Sequence, residues 1–166
     1  MSEERNLFII RHAKSSWDIE SLSDVDRPLK LRGIRDAYDM ARRIKINRSF
    51  PNLLISSPAI RALHTANIFA RVLEVKFSSL LIDERLYGSG VGVIRKILSE
   101  LDSSIKNLMI FGHNPDFSEL ATVLSGEDFL DLPTCGVYQL TFKSSDWHSI
   151  SHQNRTDIHF DFPKKE

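Results

Sequence analysis

Two kinds of apolar pattern alternate along this chain. Short, continuous apolar runs are typical of strands that are buried on both faces of a sheet. Between them, apolar residues recur every three or four positions, which is typical of helices that bury one face. The runs predict strands over residues 6–10, 53–55, 77–82, 108–111, 137–142 and 158–162. The periodic stretches predict helices over residues 33–46, 57–73, 93–101 and 114–126.

Residues that favour helix ends bound two of these helices. Ser57 is expected at an N-cap, with Pro58 at the first helical position. This pair suits a helix start because the serine side chain accepts from a free backbone N–H and proline has no N–H to satisfy. Asn114 and Pro115 repeat the signature at the fourth helix, and Gly126 is expected to end that helix.

The order of the elements predicts the fold class. Strands and helices alternate through most of the chain, which favours a mostly parallel sheet covered by helices on both faces. We therefore predict an α/β protein, a three-layer α/β/α sandwich that forms a single domain over residues 1–166. The last two strands are expected near one edge of the sheet, and residues 144–157 are polar and typical of a hairpin connection.

Composition excludes several classes of protein. With 42% hydrophobic and 27% charged residues, the chain resembles a soluble globular protein rather than a disordered one. Its 22 basic residues balance 22 acidic ones, so no overall field favours nucleic acid or a membrane surface. The N-terminal segment is polar, and no apolar run has the length of a membrane span, which predicts a cytoplasmic protein. Cys135 is the only cysteine, which excludes an internal disulfide.

Polar residues follow the predicted strands at the points where ligands bind in open α/β sheets, beyond the carboxyl ends of the strands. Arg11 and His12 directly follow the first strand, and Arg61 lies in the first turn after the second. Glu84 follows the third strand, and His113 follows the fourth. We therefore expect two histidines, two arginines and one carboxylate at a single rim.

Two guanidinium groups at one rim suit a dianionic ligand, because their planar forks match the oxygens of a phosphate group. Lys14 and Ser15 follow the first strand and are expected to add donors. The chain has no Walker motif and no glycine-rich nucleotide loop, so side chains must hold the phosphate. Nearby positive charge disfavours protonation of an imidazole, and a neutral imidazole can attack phosphorus. A histidine is therefore a candidate nucleophile.

Four motifs, in this order, resemble those of the histidine phosphatase superfamily, whose fold is phosphoglycerate-mutase-like. They are LFIIRHA at 7–13, DRPL with RG over 26–33, SSP at 56–58 with Arg61 and Thr65, and GHNP at 112–115. The KSSW sequence at 14–17 and the PTCG sequence at 133–136 most resemble small SixA-type phosphohistidine phosphatases. This resemblance implies a phosphatase that acts through a phosphorylated histidine.

The resemblance also implies a role for each matching position. His12 matches the nucleophile, Arg11 and Arg61 match the residues that bind the transferring phosphoryl group, and His113 matches a second histidine that hydrogen-bonds it. Such donors would offset the charge on the phosphoryl oxygens during in-line attack. The resemblance therefore implies no metal and no cofactor, with arginines in place of Mg²⁺.

Glu84 resembles the position that supplies a general acid in the mutase-like branch. A phosphate ester needs this proton because alkoxide is a poor leaving group, whereas the imidazole of a phosphohistidine leaves more easily. The expected partner is therefore a phosphorylated protein, with dephosphorylation of phosphohistidine in a signalling protein as the leading hypothesis. Two alternatives stay open, namely a small-molecule phosphomonoesterase that uses Glu84 and a non-catalytic module that binds a phosphorylated ligand.

Overall fold

The computed structural model describes residues 3–46, 50–128 and 130–164. Six strands form the sheet, namely β1 (Glu4–Arg11), β2 (Leu53–Ser56), β3 (Leu80–Ile82), β4 (Asn107–Gly112), β5 (Val137–Lys143) and β6 (Arg155–Asp161). The α-helices are α1 (Leu31–Ile46), α2 (Ile60–Val72), α3 (Val91–Ser99) and α4 (Asp116–Ser125). Short 3-10 turns cover Asp24–Asp26, Phe77–Ser79 and Glu84–Leu86.

The strand order in the sheet is β3-β2-β4-β1-β5-β6. The first four of these strands are parallel, whereas β5 is antiparallel to both β1 and β6. As a result β6 runs in the same direction as β1. The predicted α/β fold with a mostly parallel sheet is confirmed, and the last two strands do lie at one edge.

Alternate residues of β1 point to opposite faces of the sheet, as the two-residue period of a strand requires. Leu7 and Ile9 belong to the core on the face of α3 and α4. Phe8 and Ile10 belong to the core on the face of α1 and α2. Both faces are therefore covered, and this gives the three layers that the continuous apolar runs predict.

Several element boundaries differ from the sequence predictions. Helix α4 begins at Asp116 with Pro115 as its N-cap, so the predicted cap at Asn114 is wrong. Residues 77–79 form a 3-10 turn in place of the first half of a strand, and the exposed Phe77 shows that this half carries no buried side chain. Helix α2 begins at Ile60, so Ser57 is not its N-cap. The Ser57 hydroxyl instead accepts from the backbone N–H of Ala59 at 3.2 Å and lies against His113. The predicted end at Gly126 is confirmed by its left-handed conformation, with φ of 75°.

The loop after β1 is fastened to the segment that leads into α1. The Lys30 backbone N–H donates to the carbonyl of Lys14 at 2.9 Å, and that of Ser16 donates to the carbonyl of Pro28 at 2.8 Å. Gly33 lies so close that a Cβ atom there would be 2.2 Å from the carbonyl oxygen of Lys14. The absence of a side chain at Gly33 thus lets α1 approach the loop that follows the first strand.

Candidate active site

The sheet register brings the polar strand ends together. Arg11 pairs with Gly112 across β1 and β4, and the His12 backbone N–H donates to the carbonyl of Gly112 at 3.0 Å. On the other side of β4, the Ser57 backbone N–H donates to the carbonyl of Phe111 at 2.9 Å. His12, Ser57 and His113 therefore leave three adjacent strands at the same rim, as the sequence predicts for the two histidines.

We call the side chains of Arg11, His12, Arg61 and His113 the pocket floor. The relative exposures of His12, Arg61 and His113 are 7%, 5% and 9%, and the Arg11 residue is half-buried. The two imidazole ring centroids lie 5.3 Å apart. Both arginines lie close enough to lower the pKa of each imidazole. The structure thus brings together the four residues that the sequence places at one rim.

His12 is held as a neutral ring with a defined tautomer. Its Nδ1 atom lies 2.7 Å from the carbonyl oxygen of Ala13, and because a carbonyl only accepts, Nδ1 carries the proton. The pKa of His12 is lowered to about 3, mainly by burial. The hydrogen bond to Ala13 opposes this shift, and electrostatic interactions with His113, Arg61 and Arg11 add to it. Burial is therefore the main cause of the lowered pKa of His12. The sequence argument relies on neighbouring positive charge, which is a smaller cause. The lone pair is left on Nε2, as a nucleophile requires.

His113 is also neutral. Burial, followed by the charge of Arg61, lowers its pKa to about 4. Its Nε2 atom lies 2.7 Å from the Ser57 hydroxyl. Its Nδ1 atom is buried and has no hydrogen-bond partner among the residues that the structure describes.

The arginines of the floor combine paired and unpaired nitrogens. Arg61 donates to the backbone carbonyl of Asp24 at 2.6 Å and to its carboxylate at 2.9 Å. Arg11 donates to the carbonyl of Leu132 at 3.0 Å. Within the described ranges, the Nε atoms of both arginines are buried without a hydrogen-bond partner. Unsatisfied buried donors are rare in native proteins, and these donors suit the oxygens of a bound oxyanion.

A second group of side chains, which the sequence argument missed, lies against the floor. We call Asp24, Arg27 and Tyr87 the Asp24 cluster. The Asp24 carboxylate accepts from the Tyr87 hydroxyl, from Arg61 and from Nε of Arg27. These hydrogen bonds, that of Tyr87 first, hold the pKa of Asp24 well below its usual range. The Tyr87 ring also meets the His113 ring edge-on, with centroids 5.4 Å apart.

The three other predicted site residues lie at different places. Ser15 is buried, and its hydroxyl accepts from Arg27 at 2.8 Å. Lys14 is exposed and lines a neighbouring cavity that the four floor residues do not line. Glu84 is exposed in the turn after β3, and its carboxylate makes no hydrogen bond or ion pair with the described part of the chain. The roles expected for these three residues stay predictions.

The described residues contain neither a group of metal ligands nor a membrane-spanning helix. No three His, Cys, Asp or Glu side chains within 3–46, 50–128 and 130–164 gather as ligands of a metal ion would. Over the same ranges, no helix has the length and apolar character needed to cross a membrane.

The carboxyl edge of this open α/β sheet carries two arginines and two neutral histidines. Such a site suits the binding of an oxyanion. The model of the histidine phosphatase superfamily (branch 1) matches residues 7–133, which include the whole pocket floor. The chain belongs to this superfamily.

Curated relatives match over most of the chain. An uncharacterized chloroplastic protein of Arabidopsis thaliana is 32% identical over 154 residues, which cover 88% of this chain and 70% of the relative. An uncharacterized protein of Mycobacterium tuberculosis is 31% identical over 116 residues, which cover 70% of each chain.

Solved structures share the fold. A structure assigned as phosphohistidine phosphatase SixA of Nakamurella multipartitia superposes with a TM-score of 0.82 at 17% identity, covering 99% of both chains. A protein histidine phosphatase SixA in complex with tungstate gives a TM-score of 0.77 at 22% identity, over 95% of this chain and 94% of that one. A phosphoglycerate mutase of Bacillus anthracis gives 0.65 at 16% identity, over 87% and 90%. The expected phosphoglycerate-mutase-like fold is confirmed.

Proposed function

We propose that this protein is a phosphatase that transfers a phosphoryl group to His12 and then to water. The observation that carries this proposal is the state of the His12 ring, which is neutral and donates from Nδ1 to the carbonyl of Ala13. This bond leaves the Nε2 lone pair as the reactive atom. Membership of the histidine phosphatase superfamily supports the same reaction class.

In the first step, Nε2 of His12 attacks phosphorus while the bond from phosphorus to the leaving group breaks. Arg11, Arg61 and His113 surround His12, and their donors would stabilise the charge on the equatorial oxygens. In the second step, the oxygen of a water molecule attacks phosphorus and the bond from phosphorus to Nε2 breaks. The water protons stay on the released phosphate, and His12 returns to its neutral form.

We further propose that the substrate is a phosphohistidine on a protein partner. When the second ring nitrogen of a phosphohistidine carries a proton, cleavage of the P–N bond releases a neutral imidazole, so this leaving group needs no strong acid at the site. The exposed position of Glu84, with no bond to the described residues, agrees with that chemistry. The structural relative described as a protein histidine phosphatase SixA shares this fold. The cytoplasmic location and the absence of a metal stay predictions.

Trapping labelled phosphate on the enzyme tests the nucleophile. After brief reaction with a labelled phosphohistidine protein, we expect acid-labile, base-stable label in the peptide that contains His12. Label in another peptide, or no label together with undiminished turnover in His12→Ala, would contradict the proposal.

A comparison of substrates tests the substrate class. We expect hydrolysis of phosphohistidine to be faster than that of a panel of phosphate monoesters, and Glu84→Gln to leave it within about twofold of wild type. Glu119→Gln, at an exposed position of α4, is the matched control. If esters are the better substrates and only Glu84→Gln slows them, the small-molecule phosphomonoesterase is the correct alternative.

A further inference from the structure

A cavity lies beside the four floor residues, at the same edge of the sheet. Its volume is about 300 Å³. It is lined by residues that follow the carboxyl ends of the parallel strands β1 and β6, among them Lys14, Phe162 and Lys164, and by Thr134, which precedes β5. Helix α1 contributes the remaining wall with Arg32 and Asp36. We call this the basic cavity.

The lining carries an excess of positive charge. Among the described residues, three cations line it, whereas Asp36 is the only acidic residue of the lining. Arg32 and Asp36 are 4.0 Å apart, the outer limit of an ion pair. The ammonium groups of Lys14 and Lys164 make no hydrogen bond or ion pair with the residues that the structure describes. Unpaired cations around a concave surface attract anionic groups.

The walls of this cavity are held in place from several sides. Arg43 of α1 donates to the Asp161 carboxylate at 3.1 Å and to the carbonyl oxygens of Phe162 and Pro163 at 3.1 and 3.3 Å. The Lys14 backbone is bonded to that of Lys30. The cations that face the cavity therefore extend from a fixed backbone.

The basic cavity and the pocket floor share a wall. Thr134 lines the cavity, and the next residue, Cys135, donates from its backbone N–H to the carbonyl oxygens of Arg11 and His12 at 3.1 and 3.0 Å. Lys14 follows His12 by two residues, a distance of about 7 Å along the chain. A single ligand can therefore reach both places.

We propose that the basic cavity docks acidic side chains of the phosphorylated protein whose phosphohistidine enters the pocket floor. This inference rests on the proposed function. A macromolecule fits better than a small ligand, because the Arg32 side chain is 55% exposed and the adjacent Leu31 presents exposed apolar surface. Arginine is among the residues that are enriched in protein interfaces. Because about 7 Å of chain separates Lys14 from His12, the acidic group lies at least about two residues from the phosphohistidine in an extended partner segment.

Synthetic phosphohistidine peptides test the docking. Each peptide carries a Glu-Glu pair, or a Gln-Gln pair as control, at a spacing between two and eight residues on either side. We expect kcat/KM to be about tenfold higher for the best Glu-Glu peptide than for its Gln-Gln counterpart at low salt. Because screening weakens attraction between exposed charges, this advantage should shrink in 0.5 M salt.

Two double variants locate the effect. Arg32→Glu with Lys164→Glu should remove the advantage of the Glu-Glu peptide and leave hydrolysis of free phosphohistidine within about twofold of wild type. Lys76→Glu with Lys96→Glu makes the same charge change at exposed positions outside the cavity, and it should keep the advantage.

Three results would overturn the inference. Equal rates for the Glu-Glu and Gln-Gln peptides at every spacing would show that no acidic group docks. Loss of the advantage in both double variants would show that the effect is not local to the cavity. A wild-type enzyme that hydrolyses no phosphohistidine compound would overturn the proposed function itself, and the docking role with it.

Discussion

The pocket floor and the Asp24 cluster meet at Arg61 but are built in opposite ways. The floor is carried by strand ends and the start of α2, and three of its four residues are buried. In the cluster Arg27 is buried as well, but the Asp24 side chain is 48% exposed and Tyr87 is 39% exposed. All three residues come from 3-10 turns or their ends. In the proposed mechanism the floor supplies the reacting and binding groups, whereas the Asp24 cluster orients Arg61 and packs against His113.

Loss of the nucleophile should have the largest effect. We expect His12→Ala to lower kcat by about 10⁴-fold or more, since the proposed covalent intermediate forms on His12. The measurement is single-turnover hydrolysis of a phosphohistidine protein. His148→Ala, which removes an exposed histidine far along the chain, should keep full activity. A fall of less than tenfold in His12→Ala would remove His12 from its proposed role.

Loss of an oxyanion donor should have the next largest effect. We expect Arg61→Ala to lower kcat by about 10²–10³-fold, the usual range for the loss of one preorganised donor. The intermediate on His12 should still form, slowly, and trapped label measures it. Arg71→Ala, at an exposed position later in the same helix, serves as control. Equal rates in the two variants would show that Arg61 does not bind the phosphoryl group.

Removal of the charge of Asp24 separates two effects of this carboxylate, namely the orientation of Arg61 and the electrostatic repulsion of a bound phosphate. In Asp24→Asn, Arg61 loses a charged partner, so we expect kcat to fall about tenfold, equivalent to about 1.4 kcal/mol. The same change removes a negative charge beside the floor, so inorganic phosphate should inhibit several-fold more strongly.

Asp18→Asn, at an exposed position of the same loop, is the control for the Asp24 variant. The comparison between floor and cluster would be wrong if phosphate inhibition became weaker or if kcat did not change.

The smallest effect concerns stability against pH. The folded protein keeps His12 and His113 neutral, with pKa values of about 3 and 4, whereas both imidazoles of the unfolded chain take up a proton near pH 6.5. Between about pH 4 and 6 the unfolded chain therefore binds more protons, so the free energy of unfolding decreases as pH falls.

His12→Asn should lower this dependence by about 1.4 kcal/mol per pH unit. Urea unfolding at several pH values measures the slope, and His148→Asn should leave it unchanged. An identical slope in His12→Asn would show that His12 is not buried as a neutral ring.

The positions of the floor residues follow from local sequence because strand ends in a parallel sheet share one edge. Once residues 6–10 and 108–111 are assigned as neighbouring strands, His12 and His113 must leave the sheet together. The hydrophobic pattern predicts the two strands and their common edge, whereas the adjacency of β1 and β4 is known only from the strand order in the structure. The same reasoning places Arg61, since a short turn connects β2 to α2.

The Asp24 cluster could not be predicted in this way. Asp24 and Tyr87 are 63 residues apart and lie in irregular segments, which carry no periodic signal for their direction. Ser57 shows a related difficulty, because serine at a strand end suits a helix cap and a histidine partner equally well. The choice depends on where His113 lies, and that is a long-range fact.

Gly33 links regions that are otherwise separate. A Cβ atom at residue 33 would collide with the carbonyl oxygen of Lys14. A rotamer change cannot relieve this collision, because side-chain rotation moves neither atom. The displaced segment belongs at once to the loop beyond His12 and to the rim of the basic cavity. We therefore expect a substitution of Gly33 to change both the rate of hydrolysis and the choice of protein partner, although glycine has no side chain that could contact the phosphohistidine or the acidic segment.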